Sequence, residues 1–308
     1  MRARFFSPPP KDTLHARASE AASLSASLPL MAMEARRLAA SVSLGLHGRG
    51  RAGPGESFWQ YRALGAGETH ARIDWRKSAR HGDALFVRDH EWEAARSFHV
   101  FIDRSASMNY SSGKQAQKID HAVIIGLALA DLLVRSGERV ALLGETSTSA
   151  SRQIIDRLAE ALSHPRMMDG DLPSTVTLPR NAHAIVIGDM IAAPEKIQSL
   201  LSTLNQSGVH STLLRILDPA EAAFPFSGET ELVSTETSQT FDIGDAAAFA
   251  NHARERLAAH ENMLNQIAKR HQSHLVTHRT DEPITPCLLN LMTRFARRDD
   301  EGMSAVYG

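Results

Sequence analysis

At 308 residues and 43% hydrophobic side chains, the chain holds enough apolar material for one large core or two smaller ones, which excludes a disordered or fibrous class. A single cysteine, Cys287, excludes an internal disulfide and a cysteine-based zinc site. The net charge of −1 hides an imbalance: residues 1–100 carry 15 Lys+Arg against 10 Asp+Glu, and residues 101–308 carry 19 against 25. No dense Lys/Arg run and no interleaved aromatic platform accompanies the basic third, so no nucleic-acid partner is expected. The longest apolar stretch, Ala122 to Val134, is broken by Asp131 and falls short of the roughly 20 residues that cross a bilayer. The basic start, MRARFFSPPPKDTLHAR, lacks an apolar signal core. The expectation is a cytoplasmic protein with no membrane span.

In chain order, a Pro- and Ala-rich lead precedes a helical stretch around Leu28 to Val42, and the segment GLHGRGRAGPGESF is too glycine-dense for a regular element. Residues 58–96 mix aromatics, arginines and turn residues, a pattern of short strands and loops. From Ser97 the pattern changes. FHVFID (98–103), VALLG (140–144), AIVIG (184–188) and STLLRIL (211–217) read as strands buried on both faces, as a parallel sheet requires. Ile119, Val123, Leu127, Ala130 and Val134 stand at helical spacing and Gly137 ends the run, which predicts a helix over Lys114–Ser136. Pro194 and Gly208 bracket a second helix. Ala246 to Arg270 is a long third, HLVT (274–277) a last strand and Thr285 to Ala296 a closing helix. The alternation predicts a doubly wound, mostly parallel α/β sheet over residues 97–308, preceded by a basic, irregular, β-rich module with a leading helix over residues 1–96.

Asp103-Arg-Ser-Ala-Ser-Met108 follows the first buried strand, at the sheet edge where open α/β sheets bind ligands. A carboxylate with hydroxyls two and four residues later offers hard oxygens to one point, a set suited to Mg2+ or Mn2+. The same residues also suit a serine-rich turn that caps the next helix. Other chemistries lack their signatures. The spacing of His271, His274 and His278 straddles a helix-to-strand junction without a His-Glu-x-x-His, and Ser105 lacks the glycines of a hydrolase elbow. No Walker loop or Gly-x-Gly-x-x-Gly appears.

Asp-x-Ser-x-Ser directly after a buried strand resembles the metal-ion-dependent adhesion site of von Willebrand factor type A domains. The resemblance implies Ser105 and Ser107 as direct ligands, with Asp103 and Asp189 acting mostly through bound water. A threonine should join from an intervening loop; Thr175, beside Ser174 and Thr177 in DLPSTVTLPR, is the candidate, although the usual Gly-Gly-Thr is missing. A second resemblance covers residues 15–295. Phe58-Trp-Gln-Tyr-Arg62, Gly67-Glu68, Arg72-Ile-Asp74-Trp75, Ser78-Ala79-Arg80, Val87-Arg88-x-x-Glu91 and Leu217-Asp218-Pro219-x-Glu221 with Phe224-Pro225-Phe226 are similar to the family catalogued as domain of unknown function 58. Within the basic module, Arg72 with Asp74 or Arg80 with Glu68 offers a paired network or a surface for an acidic partner.

These resemblances imply a non-enzymatic adaptor that binds a divalent ion weakly and leaves a coordination position for a partner's Glu or Asp. They also imply the partner, a MoxR-type AAA ATPase. The competing readings are a metal-free scaffold, motivated by the absent threonine loop, and a metal-dependent hydrolase using Asp103 and Asp189, for which no general base or nucleophile stands nearby in sequence.

Overall fold

The structure, a computed structural model, describes residues 3–4, 13–47, 58–63, 75–80, 85–90, 95–113, 116–164, 171–173, 177–233 and 240–304. In chain order the elements are β1 (Ala3–Arg4), α1 (Thr13–His47), β2 (Phe58–Ala63), α2 (Trp75–Ser78), β3 (Phe86–His90), β4 (Ser97–Ile102), α3 (Lys118–Arg135), β5 (Arg139–Leu142), α4 (Ile154–Ser163) and β6 (His183–Gly188). There follow α5 (Pro194–Gln206), β7 (His210–Leu217), α6 (Pro219–Ala223), β8 (Thr230–Val233), β9 (Thr240–Ile243), α7 (Ala246–Arg270), β10 (His274–Arg279) and α8 (Ile284–Ser304). They form two compact units, one of residues 1–45 with 96–308 and one of residues 46–95.

The larger unit is an α/β body around a five-stranded sheet in the order β10-β7-β6-β4-β5, every pairing parallel. β4 lies inside the sheet, with the first crossover going to β5 on one side and the next to β6 on the other. The winding therefore reverses between β4 and β6, and that reversal opens a crevice at their carboxyl ends. Phe101, Val186 and Leu213 share one sheet face with Ile197 and Leu201 of α5 and Leu264 of α7 in a single apolar cluster. α3 serves the opposite face beside α8 and is buried almost all round, from Ile119 to Val134, as a helix roofed by other helices must be.

The predicted elements and the observed ones agree at the sheet and at α7 and diverge at the start of α3 and the end of α8. α3 starts at Lys118, later than its apolar spacing predicts, because Gln117 and Asp120 form a capping box in which the Gln117 N–H donates to Asp120 Oδ2 at 2.8 Å. Gly137 and Gly208 follow α3 and α5 with φ of +90° and +69°, a backbone that L side chains rarely adopt. α8 begins at Ile284 and runs past Ala296 to Ser304. α4 and the small sheet β1-β8-β9 have no counterpart in the sequence reading. The leading helix falls in the α/β unit rather than with residues 46–95. Its buried stripe Leu28, Met31, Ala32, Ala35, Ala39 and Val42 is a helical face that must pack, and Arg36 pairs with Asp156 of α4. Within residues 46–95, β2 and β3 pair antiparallel, and the Ser78 hydroxyl accepts the Phe86 N–H at 2.9 Å.

On the α3 side, His278 of β10 and His121 of α3 meet in the core, Nε2 to Nδ1 at 3.0 Å. Burial and then the adjacent His121 push His278 down to about 4, with Asp281 opposing; burial also lowers His121, opposed by Asp120 and Glu34. In the unfolded chain both imidazoles titrate near 6.5. Between that value and about 4 the unfolded chain takes up a proton that folded His278 refuses. The stability present above about pH 6.5 should therefore fall progressively down to about pH 4, by up to about 3 kcal/mol. Urea midpoints measured from pH 7.5 to pH 4.5 should decline more steeply for the wild type than for His278→Gln; parallel declines would remove this pair as the cause.

Candidate functional site at the sheet edge

Strand β4 delivers Asp103 to the crevice. The Asp103 N–H still donates to the Ile187 carbonyl at 2.8 Å, so the residue continues the sheet ladder and faces Gly188 of β6. The chain then turns: Asp103 Oδ1 accepts the Ser105 N–H at 2.8 Å, and Ala106–Met108 form a short 3-10 turn in which Met108 is fully buried. That turn brings Ser105 Oγ and Ser107 Oγ to 3.0 Å from each other. Arg104 is engaged elsewhere, its Nη2 donating to Glu145 Oε1 at 2.7 Å.

Asp103 is 1% exposed, and its Oδ2 has no hydrogen-bond partner among the described residues. Burial, then the charge of Asp189, pushes its carboxyl up to about 7 against the opposing Ser105 N–H. A buried carboxylate oxygen without a donor is costly, so the residue must be protonated or meet a cation. Ser105 and Ser107 complete an oxygen-only group, and Asp103, Ser105 and Ser107 thus fit a small hard cation. Asp189 does not join them freely. Its Oδ2 receives the Lys118 ammonium at 3.1 Å and its Oδ1 accepts the Ile191 N–H at 3.3 Å. Thr175 and Ser174 lie outside the described residues, and Thr177 is exposed.

Lys118 was missed by motif reasoning. Its side chain is fully buried and bridges Asp189 and Glu221, the latter at 2.8 Å. Burial alone would lower its ammonium, but the two carboxylates hold it above the ordinary lysine value. Glu221 in turn accepts the Asp218 N–H, while Asp218 Oδ1 accepts the Ala220 N–H at 2.8 Å and Asp218 Oδ2 the Ser112 N–H at 3.0 Å. The ammonium thereby links the carboxyl end of β6 to α6, just after β7, and Asp218 ties the same segment to the loop after β4. The available signal was a lysine in phase with Ala122, Ile125 and Leu129 on an otherwise apolar helix. Arg215, two residues before the end of β7, is 2% exposed and its Nε and Nη1 have no partner among the described residues; its nearest charges include Glu261, Glu221 and Asp189.

Other candidates separate. His278 is taken by His121, and His271 lies at the end of α7, so the three histidines of the C-terminal segment do not converge on one point. Among the described residues no group of three His, Cys, Asp or Glu side chains is placed to hold a metal. Glu68, Arg72 and Asp74 fall outside the described residues, and Arg80 is exposed.

Gly188 sets the shape of the site. A Cβ there would stand 2.8 Å from Asp103 Cβ and 3.0 Å from Asp103 Oδ2, nearer than atoms can pack. Gly188→Ala should displace the Asp103 carboxylate and lower stability by about 1–3 kcal/mol, read as a reduced denaturant midpoint at unchanged slope. An unchanged midpoint would show that Asp103 has room to move.

No relative is found among the curated proteins. Among solved structures, the chain is similar to the conserved hypothetical protein BatB from Bacteroides thetaiotaomicron, at 12% identity over 66% of this chain and 100% of that one, with a TM-score of 0.40. It is also similar to an aerotolerance-related membrane protein from Bacteroides fragilis, at 13% identity over 66% and 100%, with a TM-score of 0.42. Among the described residues of this chain, no helix is long and apolar enough to cross a membrane. The family described as "Protein of unknown function DUF58" matches residues 60–263. That match covers more than half of the chain, from β2 into α7, and takes in Asp103 to Met108, Lys118, Asp189 and Glu221: the chain belongs to the DUF58 family.

Proposed function

We propose that this protein is a cytoplasmic, non-enzymatic adaptor whose α/β body is of the von Willebrand type A kind and docks a protein partner through a divalent cation. The observation that carries the reading is the buried, unpartnered Asp103 Oδ2 beside the paired Ser105 and Ser107 hydroxyls, at the reversal of the sheet winding. Asp103, Ser105 and Ser107 would hold Mg2+ or Mn2+, which supplies a Lewis-acidic position for a carboxylate of the partner. The partner's Glu or Asp adds its charge only in the complex, so metal contributes more to association than to the stability of the free protein. Resemblance to the family points to a MoxR-type AAA ATPase as that partner.

A metal-free scaffold is the second reading, and one observation favours it: both oxygens of Asp189 are already engaged, by Lys118 and by the Ile191 N–H. The two readings differ in solution. Titration calorimetry with Mg2+ should show weak binding to the wild type that is lost in Asp103→Asn and reduced in Ser107→Ala. Co-purification with a co-expressed MoxR-type ATPase should follow the same pattern and fail in chelator, while His274→Ala behaves as wild type. ATPase retained in chelator and by Asp103→Asn alike would sink the metal bridge and leave the scaffold.

A further inference from the structure

The adaptor reading assigns the cation site to Asp103, Ser105 and Ser107 and leaves Lys118 without a task. Lys118 is nonetheless an expensive residue. Its ammonium is fully buried at the start of an apolar helix, and an ion so placed is tolerated only when its charge is met. Here it is met twice, by Asp189 from the end of β6 and by Glu221 from α6. Glu221 is also the third residue of the α6 capping box, and its other oxygen accepts the Asp218 N–H at 2.9 Å. The Lys118 N–H donates to the Tyr110 carbonyl at 3.1 Å, which ties the loop after the Ser105–Ser107 turn to the same residue.

We infer that Lys118 is the resident cation of this edge, a positioning residue that neutralises Asp189 and Glu221 and orders the loops around the crevice before any metal or partner arrives. The inference rests on the adaptor reading only in placing the crevice at the docking edge. Asp189, the second acidic position of the adhesion-site resemblance, is held here by an ammonium on the chain itself. A divalent ion then has only the Asp103 side of the crevice to satisfy, which gives a physical reason for weak metal binding. The Asp218–Glu221 segment shared with the family acquires a role as well: it supplies the carboxylate that makes the lysine tolerable on its second side.

Lys118→Met keeps most of the stem and removes the charge. In chelator, heat unfolding should place this variant roughly 10 °C below the wild type, since the buried Asp189 and the partly buried Glu221 lose their counter-ion. Adding Asp189→Asn should restore most of that loss, a coupling that a purely steric role of the lysine stem does not give. Excess Mg2+ should raise the melting temperature of Lys118→Met more than that of the wild type, by supplying the missing charge beside Asp189, and the extra increment should vanish in the double variant. Equal melting of Lys118→Met and wild type in chelator, a loss that Asp189→Asn does not relieve, or equal Mg2+ increments would each overturn the inference. Should Lys118→Met fail to fold, folding of Lys118→Met/Asp189→Asn supports it and failure of both overturns it. A wild type that binds no Mg2+, beside a Lys118→Met that responds as described, counts against the adaptor's metal bridge and for the resident cation.

Discussion

Burying both faces of strand β4 is the constraint on which the rest of this structure depends. A parallel strand in the interior of a sheet needs apolar side chains above and below, and SFHVFI supplies them with Phe98, Val100, Phe101 and Ile102. Helices must then cover both faces, which the apolar α3 and the amphipathic α5 and α7 do. The polar residues that follow are left at the carboxyl edge, already half removed from water by the body beneath them. Asp103 continues the ladder of β4 by one residue and so takes its charge into that environment.

The edge is consequently a problem in charge compensation. The charge of Asp189 acts on Asp103 where solvent screens weakly, and Lys118 meets Asp189 and Glu221 but not Asp103. Among the described residues, what is left over includes an unpartnered oxygen on Asp103 and, on β7, the Nε and Nη1 of Arg215. Residual polarity of this kind is uncommon in a core of otherwise satisfied groups. Among the described residues, Asp103 Oδ2 is the one such oxygen at the carboxyl ends of β4 and β6, where the winding of the sheet reverses.

The chain also shows how an element can belong by packing to a part of the protein from which it is far removed in sequence. The helix 13–47 runs into residues 46–95, which form their own compact unit, yet its buried stripe and its Arg36–Asp156 pair join it to the α/β body. Composition could not show this, because residues 1–100 share one basic bias whichever unit they enter.

The sequence by itself determined the parallel sheet and the place of the Asp103–Met108 segment at the end of its first strand. Five apolar runs bounded by turns and separated by helical periodicity admit few topologies, and a carboxylate with spaced hydroxyls at the end of the first run is local information, contained in six consecutive residues. Ala246 to Arg270 was legible to the residue, since Asp245 caps one end of an amphipathic run. The tertiary structure alone decided who meets whom at the edge. Lys118, Asp189 and Glu221 are 71 and 103 residues from lysine to partner, and nothing in the phase of α3 reveals which carboxylates its first residue will face. The same holds for His121 and His278, 157 residues apart, and for the small sheet that pairs Ala3–Arg4 with Thr230–Glu231. Local pattern fixes periodicity and turn chemistry, whereas long-range charge pairing depends on strand order and on the depth of burial, and those exist only once the sheet is wound.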